Sequence, residues 1–282
     1  MIRVRKIRIP GLPTKEPRRL YVYLPQDYAR SEKRYPVLYM FDGHNVFYDS
    51  HATFGKSWGM KEYLARTKLP LIVVGVECNP EGTRRLNEYS PWDLEIPPAL
   101  RRRKGFGMLK GIDVLEGLGR VTMDWMSGPL KEEIDRTYRT LPDRDNTLIA
   151  GSSMGGLMTL YALAAYNQVY SRGAALSPSI WAGTEKLHEL LSSTRFLKPT
   201  RLYADLGTGE LEWTGRDGLA EMFTAAAEMS AAGADVAARV VPGAVHSEAA
   251  WEKRIPLFMD YLLAPAEGPD RLPKGAPIFR SR

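Results

Sequence analysis

Thr147-Leu148-Ile149-Ala150-Gly151-Ser152-Ser153-Met154-Gly155-Gly156-Leu157-Met158-Thr159-Leu160-Tyr161-Ala162-Leu163-Ala164 is the stretch on which the reading of this chain turns. Its first four residues form a short apolar run that reads as a buried strand, and the residues from Gly156 onward read as a helix. Between them, Gly151 to Gly155 has the form G-x-S-x-G in a strand, sharp turn, helix context. A serine hydroxyl becomes a useful nucleophile when it stands clear of the backbone, near a base, with amide donors ready for a developing oxyanion. A strained turn holds Ser153 that way, and the glycines at 151, 155 and 156 supply the room it needs. A glycine-rich helix start with an ordinary N-cap serine gives the same letters, so the surroundings must decide.

Outward from this turn, apolar runs and helical patterns alternate. Residues 20–24, 37–41, 71–76, 147–150, 201–204 and 237–241 read as strands, most of them nearly continuous in apolar or β-favouring residues, as strands covered on both faces are. Residues 57–67, 121–136, 155–166, 218–232 and 249–263 carry apolar residues at helical spacing. Alternation of this kind predicts an α/β fold with a doubly wound, mostly parallel sheet and helices on both faces. One domain is expected over 1–265, followed by a basic tail, 266–282. Residues 81–119, rich in Gly, Pro and Arg, break the rhythm. They are read as a lid-like, substrate-shaping insertion, because connections after a parallel strand flank the ligand crevice.

The 282 residues are 44% hydrophobic and 26% charged, an ordinary globular composition. The formal charge of +6 is dispersed apart from Arg101-Arg102-Arg103-Lys104 and the tail, and no nucleic-acid motif accompanies it. No window approaches the ~18 apolar residues of a membrane span. The N-terminal Met1 to Ile7 alternates charge with apolar residues like a first strand and lacks the apolar core of a signal peptide. A single cysteine, Cys78, excludes an intramolecular disulfide and any multi-cysteine zinc site, which fits a reducing cytoplasm. No metal or other cofactor is expected. The partner is a small molecule, with neither nucleic acid nor membrane, and a homo-oligomer is compatible with the sequence.

A nucleophilic Ser153 requires a base, and four histidines are available. His246 follows the last predicted strand in a loop that can reach over the sheet's C-terminal edge, so it is the base on position. His188 sits in a polar helix, and His44 and His51 lie in an early loop. An orienting carboxylate belongs on the loop after the preceding strand. Glu210, after a Gly-Thr-Gly turn, is preferred, with Asp205 at the strand end as the second choice.

The chain order Ser153, Glu210, His246 resembles that of α/β-hydrolases. The chain is similar to the putative esterase family of that superfamily, which includes enterochelin-type siderophore esterases, S-formylglutathione hydrolases, feruloyl and acetyl-xylan esterases and mycolyl transferases. The resemblance covers roughly 18–265. It rests on Tyr35 to Gly43, Arg85 to Pro91, Gly151 to Gly156, Leu176-Ser177-Pro178-Ser179-Ile180-Trp181, and Gly243 to His246 followed by Trp251. It implies an oxyanion hole made by the backbone N–H groups of His44 and Met154. It also implies a pocket lined by residues such as Asn45, Phe47, Tyr48 and Trp58, with Arg85, Glu88 and Trp181 as further substrate contacts. Arg85 and Glu88 can equally be read as a structural ion pair.

The expected activity is that of a serine carboxylic-ester hydrolase working through an acyl-enzyme, on acetyl, feruloyl or similar esters of small or carbohydrate-derived substrates. A siderophore esterase and a non-catalytic binding protein on a hydrolase fold are the alternatives.

Overall fold

A computed structural model describes residues 1–14, 16–102, 106–265 and 279–280. Among these residues the strands build one nine-stranded sheet and a separate two-stranded ribbon. The chain enters through β1 (Ile2–Ile7) and β2 (Arg18–Tyr23), continues through β3 (Val37–Met40), α1 (Met60–Thr67) and β4 (Ile72–Val76), and then enters the insertion. There α2 (Arg84–Glu88), β5 (Leu94–Glu95), α3 (Pro98–Arg101) and β6 (Val114–Leu115) follow, with β5 and β6 pairing as the ribbon. A continuous helical stretch comes next. It comprises α4 (Gly119–Trp125), a π-turn at Met126–Leu130 that accommodates Pro129, and α5 (Lys131–Thr137).

The second half alternates strictly. β7 (Thr147–Ser152), α6 (Met154–Ala165), β8 (Arg172–Leu176), α7 (Thr184–Ser193), β9 (Arg201–Gly207), α8 (Leu211–Ala231) and β10 (Asp235–Val241) lead to α9 (Glu248–Glu252) and α10 (Ile255–Leu263). A short β11 (Phe279–Arg280) pairs antiparallel with β10. The rest of the predicted basic tail, and Arg103 and Lys104 of the basic run, lie outside the described residues.

The sheet order is β1-β2-β4-β3-β7-β8-β9-β10-β11, and the six strands from β4 to β10 run parallel. Strands β3, β4, β7 and β9 are buried at every position, which is why β3 and β4 read as unbroken apolar runs and β7 and β9 carry apolar runs at residues 148–150 and 202–204. The pleat sends Leu148 and Ala150 to one face and Ile149 to the other. On the first face they meet Met60 and Leu64 of α1, Trp251 of α9, and Ile255 and Phe258 of α10. On the second, Ile149 shares a core with Leu157 of α6, Leu187 of α7 and Met222 of α8. The predicted α/β-hydrolase architecture, doubly wound with helices on both faces, is therefore the one observed. The outermost β1, by contrast, exposes Arg3, Arg5 and Lys6, charges that blunt an edge strand.

Four strands escaped the sequence reading: the two-residue β5, β6 and β11, and the longer β8 in the middle of the sheet. β8 is Arg172-Gly173-Ala174-Ala175-Leu176, three small residues between an arginine and a leucine, with no β-branched side chain. The reason is packing: a Cβ at residue 173 would lie 2.8 Å from Leu163 and 2.9 Å from Thr159, both on α6. The insertion is also more structured than a plain loop. Leu86, Tyr89, Ile96, Phe106, Leu109 and Leu115 enter the core, and Trp92 packs edge-on against Tyr161 at 5.5 Å between centroids.

Candidate active site

From β3 the chain passes through α1 to β4 on one side of the sheet and later returns to β7 on the other, so strand order reverses between β3 and β7. In open parallel sheets the crevice above such a switch point is where ligands bind. The segment after β3 and the turn after β7 meet there.

At the end of β7, Ser153 adopts φ +59°, ψ −124°, a backbone conformation that costs about 1–3 kcal/mol for a non-glycine residue. Neighbouring backbone holds it there. Ser153 N–H donates to the Leu176 carbonyl at 3.0 Å, and the Ser153 carbonyl accepts from the N–H groups of Ser179 and Gly156, each at 3.0 Å. A Cβ on residue 151 would lie 2.6 Å from the Gly155 carbonyl carbon, so the turn closes only with glycine. Met154 is the first residue of α6, where backbone N–H groups lack intrahelical acceptors and the helix dipole favours negative charge. The Ser153 and Ser179 hydroxyl oxygens are 3.3 Å apart.

Facing this turn, Asp42 stands at φ +54° and begins the short helical turn Gly43–Asn45. Gly43 packs on the backbone of β4: a Cβ there would lie 2.3 Å from the Gly75 carbonyl carbon. Arg85 braces the segment from behind, its Nε and Nη2 donating to Asp42 Oδ1 and Oδ2 at 2.7 Å each. Burial pushes the Asp42 carboxyl up, but the charge and hydrogen bonds of Arg85 outweigh it and hold it below the usual carboxylate range. Asp42 N–H donates to the Tyr89 hydroxyl at 3.0 Å. The His44 imidazole is buried, which lowers its basicity, and its Nε2 is 3.0 Å from the Thr53 hydroxyl. The backbone rather than the ring of His44 is thus the group suited to an oxyanion.

The other side of the site is built from the ends of β9 and β10. His246 Nδ1 lies 2.8 Å from Glu210 Oε2. An ionised carboxylate can only accept, so Nδ1 carries the proton, and the neutral ring then presents Nε2 as an acceptor. Two loops make this meeting possible. Gly209 N–H donates to the Ala244 carbonyl at 3.0 Å and Gly243 N–H to Thr208 Oγ1 at 2.7 Å. A Cβ on Gly207 would stand 2.1 Å from the Ala244 oxygen. The Gly-Thr-Gly sequence before Glu210 is therefore what lets the two loops touch. Trp251 meets the His246 ring edge to face at 4.9 Å.

Glu210 is fully buried. Its Oε1 accepts from Ser177 Oγ at 2.7 Å, Gly207 N at 3.0 Å and Arg254 Nη2 at 3.5 Å. Burial drives its pKa up, and the opposing bonds and charges of His246, Ser177 and Arg254 bring it below the ordinary value. Asp205, the second choice from sequence, is turned to other partners: it accepts from Arg254 Nη1 at 2.7 Å and from the Tyr203 hydroxyl at 2.9 Å. Burial raises its pKa. The remaining histidines are engaged elsewhere, His51 with the Tyr21 hydroxyl at 3.1 Å and His188 with Glu228 at 2.7 Å.

The residues expected to touch substrate divide as follows. Arg85 is spent on Asp42, and Glu88 forms a buried ion pair with Arg18 that ties α2 to β2. The pair read from sequence between Arg85 and Glu88 is therefore not the one formed: Arg85 pairs with Asp42 and Glu88 with Arg18. Asn45 bridges two walls of the site, accepting from Thr53 N–H at 2.9 Å and donating to Glu248 Oε1 at 3.2 Å. Trp181 packs edge-on against Phe106 of the insertion at 5.0 Å. Phe47 and Trp58 are core residues, and Trp58 stacks on Trp251 at 5.7 Å.

Sequence reasoning gave no individual role to Ser177, Ser179 or Arg254. Ser177 and Ser179 follow the unrecognised β8, and Arg254 ends the charged run Glu252-Lys253-Arg254, where nothing in the sequence sets it apart from its neighbours. Among the described residues, Asp42, His44 and Cys78 form the grouping with metal-ligand chemistry, their ligand atoms within 4.8 Å of one another. The Arg85 guanidinium already neutralises Asp42 through both oxygens, so this grouping is poorly suited to a further cation. No helix among the described residues is long and apolar enough to cross a membrane.

Comparison with known proteins gives a consistent picture. The family model described as Putative esterase matches residues 13–260. The uncharacterized protein YbbA of Bacillus subtilis (strain 168) is 28% identical over 198 residues, 68% of this chain and 69% of its own length. An IroE-like serine hydrolase of Shewanella oneidensis superposes with a TM-score of 0.68 at 21% identity, over 92% of this chain and 81% of its own. The siderophore hydrolase EstA of Aspergillus nidulans does so with a TM-score of 0.66 at 18% identity, over 93% and 95%.

Proposed function

Because the chain belongs to the Putative esterase family and is a carboxylic ester hydrolase, we propose that it works by two-step acyl transfer through Ser153, His246 and Glu210. The observation that carries this reading is the 2.8 Å bond from His246 Nδ1 to the buried Glu210 carboxylate, on loops at the same sheet edge as the strained Ser153 turn.

His246 Nε2 takes the proton of Ser153 Oγ as the oxygen attacks the ester carbonyl carbon, and Glu210 stabilises the imidazolium that forms. The carbonyl oxygen, now negative, receives the backbone N–H groups of His44 and Met154, fixed before reaction by Gly43 on β4 and by the start of α6. Collapse of the tetrahedral intermediate breaks the bond to the alcohol oxygen, which leaves with the proton from His246. Water then repeats the sequence on the acyl-enzyme: His246 accepts its proton, the hydroxyl adds to the acyl carbon, and Ser153 departs with the proton returned.

For substrate, we propose esters carrying aromatic or anionic groups, of the siderophore type. The structurally similar Aspergillus protein is a siderophore hydrolase, and a net charge of +6 favours encounter with an anionic ester. Phe54 supports the aromatic part. It is 81% exposed on the loop that Thr53 ties to the side chains of His44 and Asn45, where a flat acyl group can stack. Feruloyl esters of sugars are the second reading, since the same ring would serve them.

A panel of acetyl, feruloyl and catecholate esters tests the assignment. The highest kcat/KM is expected on the catecholate esters, and a preference for acetyl esters would overturn the aromatic reading. Loss of turnover on all three in Ser153→Ala is expected. Its retention would overturn the acyl-enzyme.

A further inference from the structure

Ser177 follows β8 at φ +46°, a left-handed conformation unusual for serine, and is 2% exposed. A serine hydroxyl has one proton to donate and two lone pairs to accept with. All are in use. The hydroxyl accepts from Trp251 Nε1 and from Arg254 Nη1, both at 3.1 Å, and lies 2.7 Å from Glu210 Oε1. Indole and guanidinium groups can only donate, so the serine proton is directed at Glu210 and nowhere else. Donation from a buried cation polarises the hydroxyl and strengthens that bond.

The same short segment also holds the nucleophile. Leu176, one residue before Ser177, accepts from Ser153 N–H, and Ser179, two residues after, donates to the Ser153 carbonyl. Ser177 N–H itself donates to the Asp205 carbonyl at 2.7 Å, which fixes the segment to β9. One turn therefore grips Ser153 by its backbone on both sides and Glu210 by its carboxylate.

We infer that Ser177 is a positioning residue: by pinning Glu210 Oε1 it turns Oε2 toward His246, and through Leu176 and Ser179 it sets the spacing between nucleophile and acid. This rests on the reading of Ser153, Glu210 and His246 as the acyl-transfer site. Without the hydroxyl, Arg254 loses an acceptor while its Nη2 already lies 3.5 Å from Glu210 Oε1. The guanidinium then closes on the carboxylate and competes with His246 for it, so the imidazolium gains less support in the transition state.

The test compares wild type, Ser177→Ala and Ser177→Cys, the last keeping the side-chain size with only a weak donor. For each, kcat and KM on p-nitrophenyl acetate are measured per active site titrated with a fluorophosphonate, and the low-field proton resonance of His246 Nδ1–H is recorded. In both variants kcat is expected to fall by about ten- to a hundredfold, the worth of a hydrogen bond to a charged group, with KM unchanged and the resonance moved upfield. If Ser177→Ala does not fold, Ser177→Cys carries the test. An unmoved resonance, with or without a fall in kcat, overturns the inference, as does a wild-type kcat. Ser153→Ala, run alongside, separates the two readings. If it remains active, the acyl-transfer site is wrong. If it is inactive while Ser177→Cys matches wild type, the role of Ser177 alone is wrong.

Discussion

His246 Nδ1 donates to Glu210 Oε2 over 2.8 Å although the two residues belong to different loops, one after β9 and one after β10. Asp205, five residues before Glu210, is equally buried, yet both its oxygens face Arg254 and Tyr203. The two carboxylates thus have separable duties. Glu210→Gln is expected to lower kcat by about 10³–10⁴-fold, because an amide no longer enforces the working tautomer of His246. Asp205→Asn is expected to lower the melting temperature more than the turnover per folded molecule, since it leaves the buried Arg254 charge short of a partner. Thermal melts and active-site-titrated kinetics on both variants check this, and the reverse ranking would move the acid to Asp205.

Gly43 and Gly75 meet backbone to backbone, so the oxyanion segment has no room for a methyl group. Gly43→Ala forces two main chains apart rather than a side chain aside, at a cost of about 1–3 kcal/mol or more. A fall in melting temperature of several degrees and a loss of kcat/KM are expected together. A lower melting temperature with kcat/KM per folded molecule unchanged, read by calorimetry and kinetics on the variant, would remove His44 N–H from the site.

Acid should destabilise the protein through Asp42, Glu210 and His44, opposed in part by Asp205 and Glu248, whose pKa values burial raises. Asp42 and Glu210 have lowered pKa values when folded, and burial lowers that of His44. In each case the unfolded chain binds more protons, so stability rises with pH. The contribution of His44 is fully present above about pH 6.5 and those of the carboxylates above about pH 4, and each is lost as pH falls through the folded value. Denaturant midpoints measured from pH 7 to pH 3 should decline, and Asp42→Asn should decline less steeply across the carboxylate range.

Phe54 is 81% exposed next to Thr53, which bonds the side chains of His44 and Asn45. Phe54→Ala is expected to raise KM for feruloyl and catecholate esters by about tenfold, the worth of one aromatic contact, and to affect acetyl esters less. Equal effects on all esters would remove Phe54 from the acyl wall.

The features legible in sequence are those carried by local chemistry. The turn around Ser153 could be read because strain and close approach demand glycines at fixed spacing. The central strands could be read because burial on both faces demands unbroken apolar runs. β8 could not, because Gly173 answers to α6 lying over it rather than to strand propensity. The same holds for the side chains behind the site. Ser177 acquires its role from Glu210, Trp251 and Arg254, which lie 33, 74 and 77 residues away. Arg254 is explained only by the two carboxylates that the fold brings to it. Arg85 stood in a stretch suited to substrate contact, and its partner proved to be Asp42, 43 residues earlier.

The most direct test of the acyl-enzyme is intact-mass and peptide mapping after treatment with a fluorophosphonate. The wild-type protein is expected to gain one adduct, on Ser153, with esterase activity lost in proportion to labelling. Ser153→Ala is expected to gain none and to lose turnover of p-nitrophenyl acetate. An adduct on Ser152 or Ser179, or a Ser153→Ala variant that hydrolyses the ester at the wild-type rate, would contradict the account.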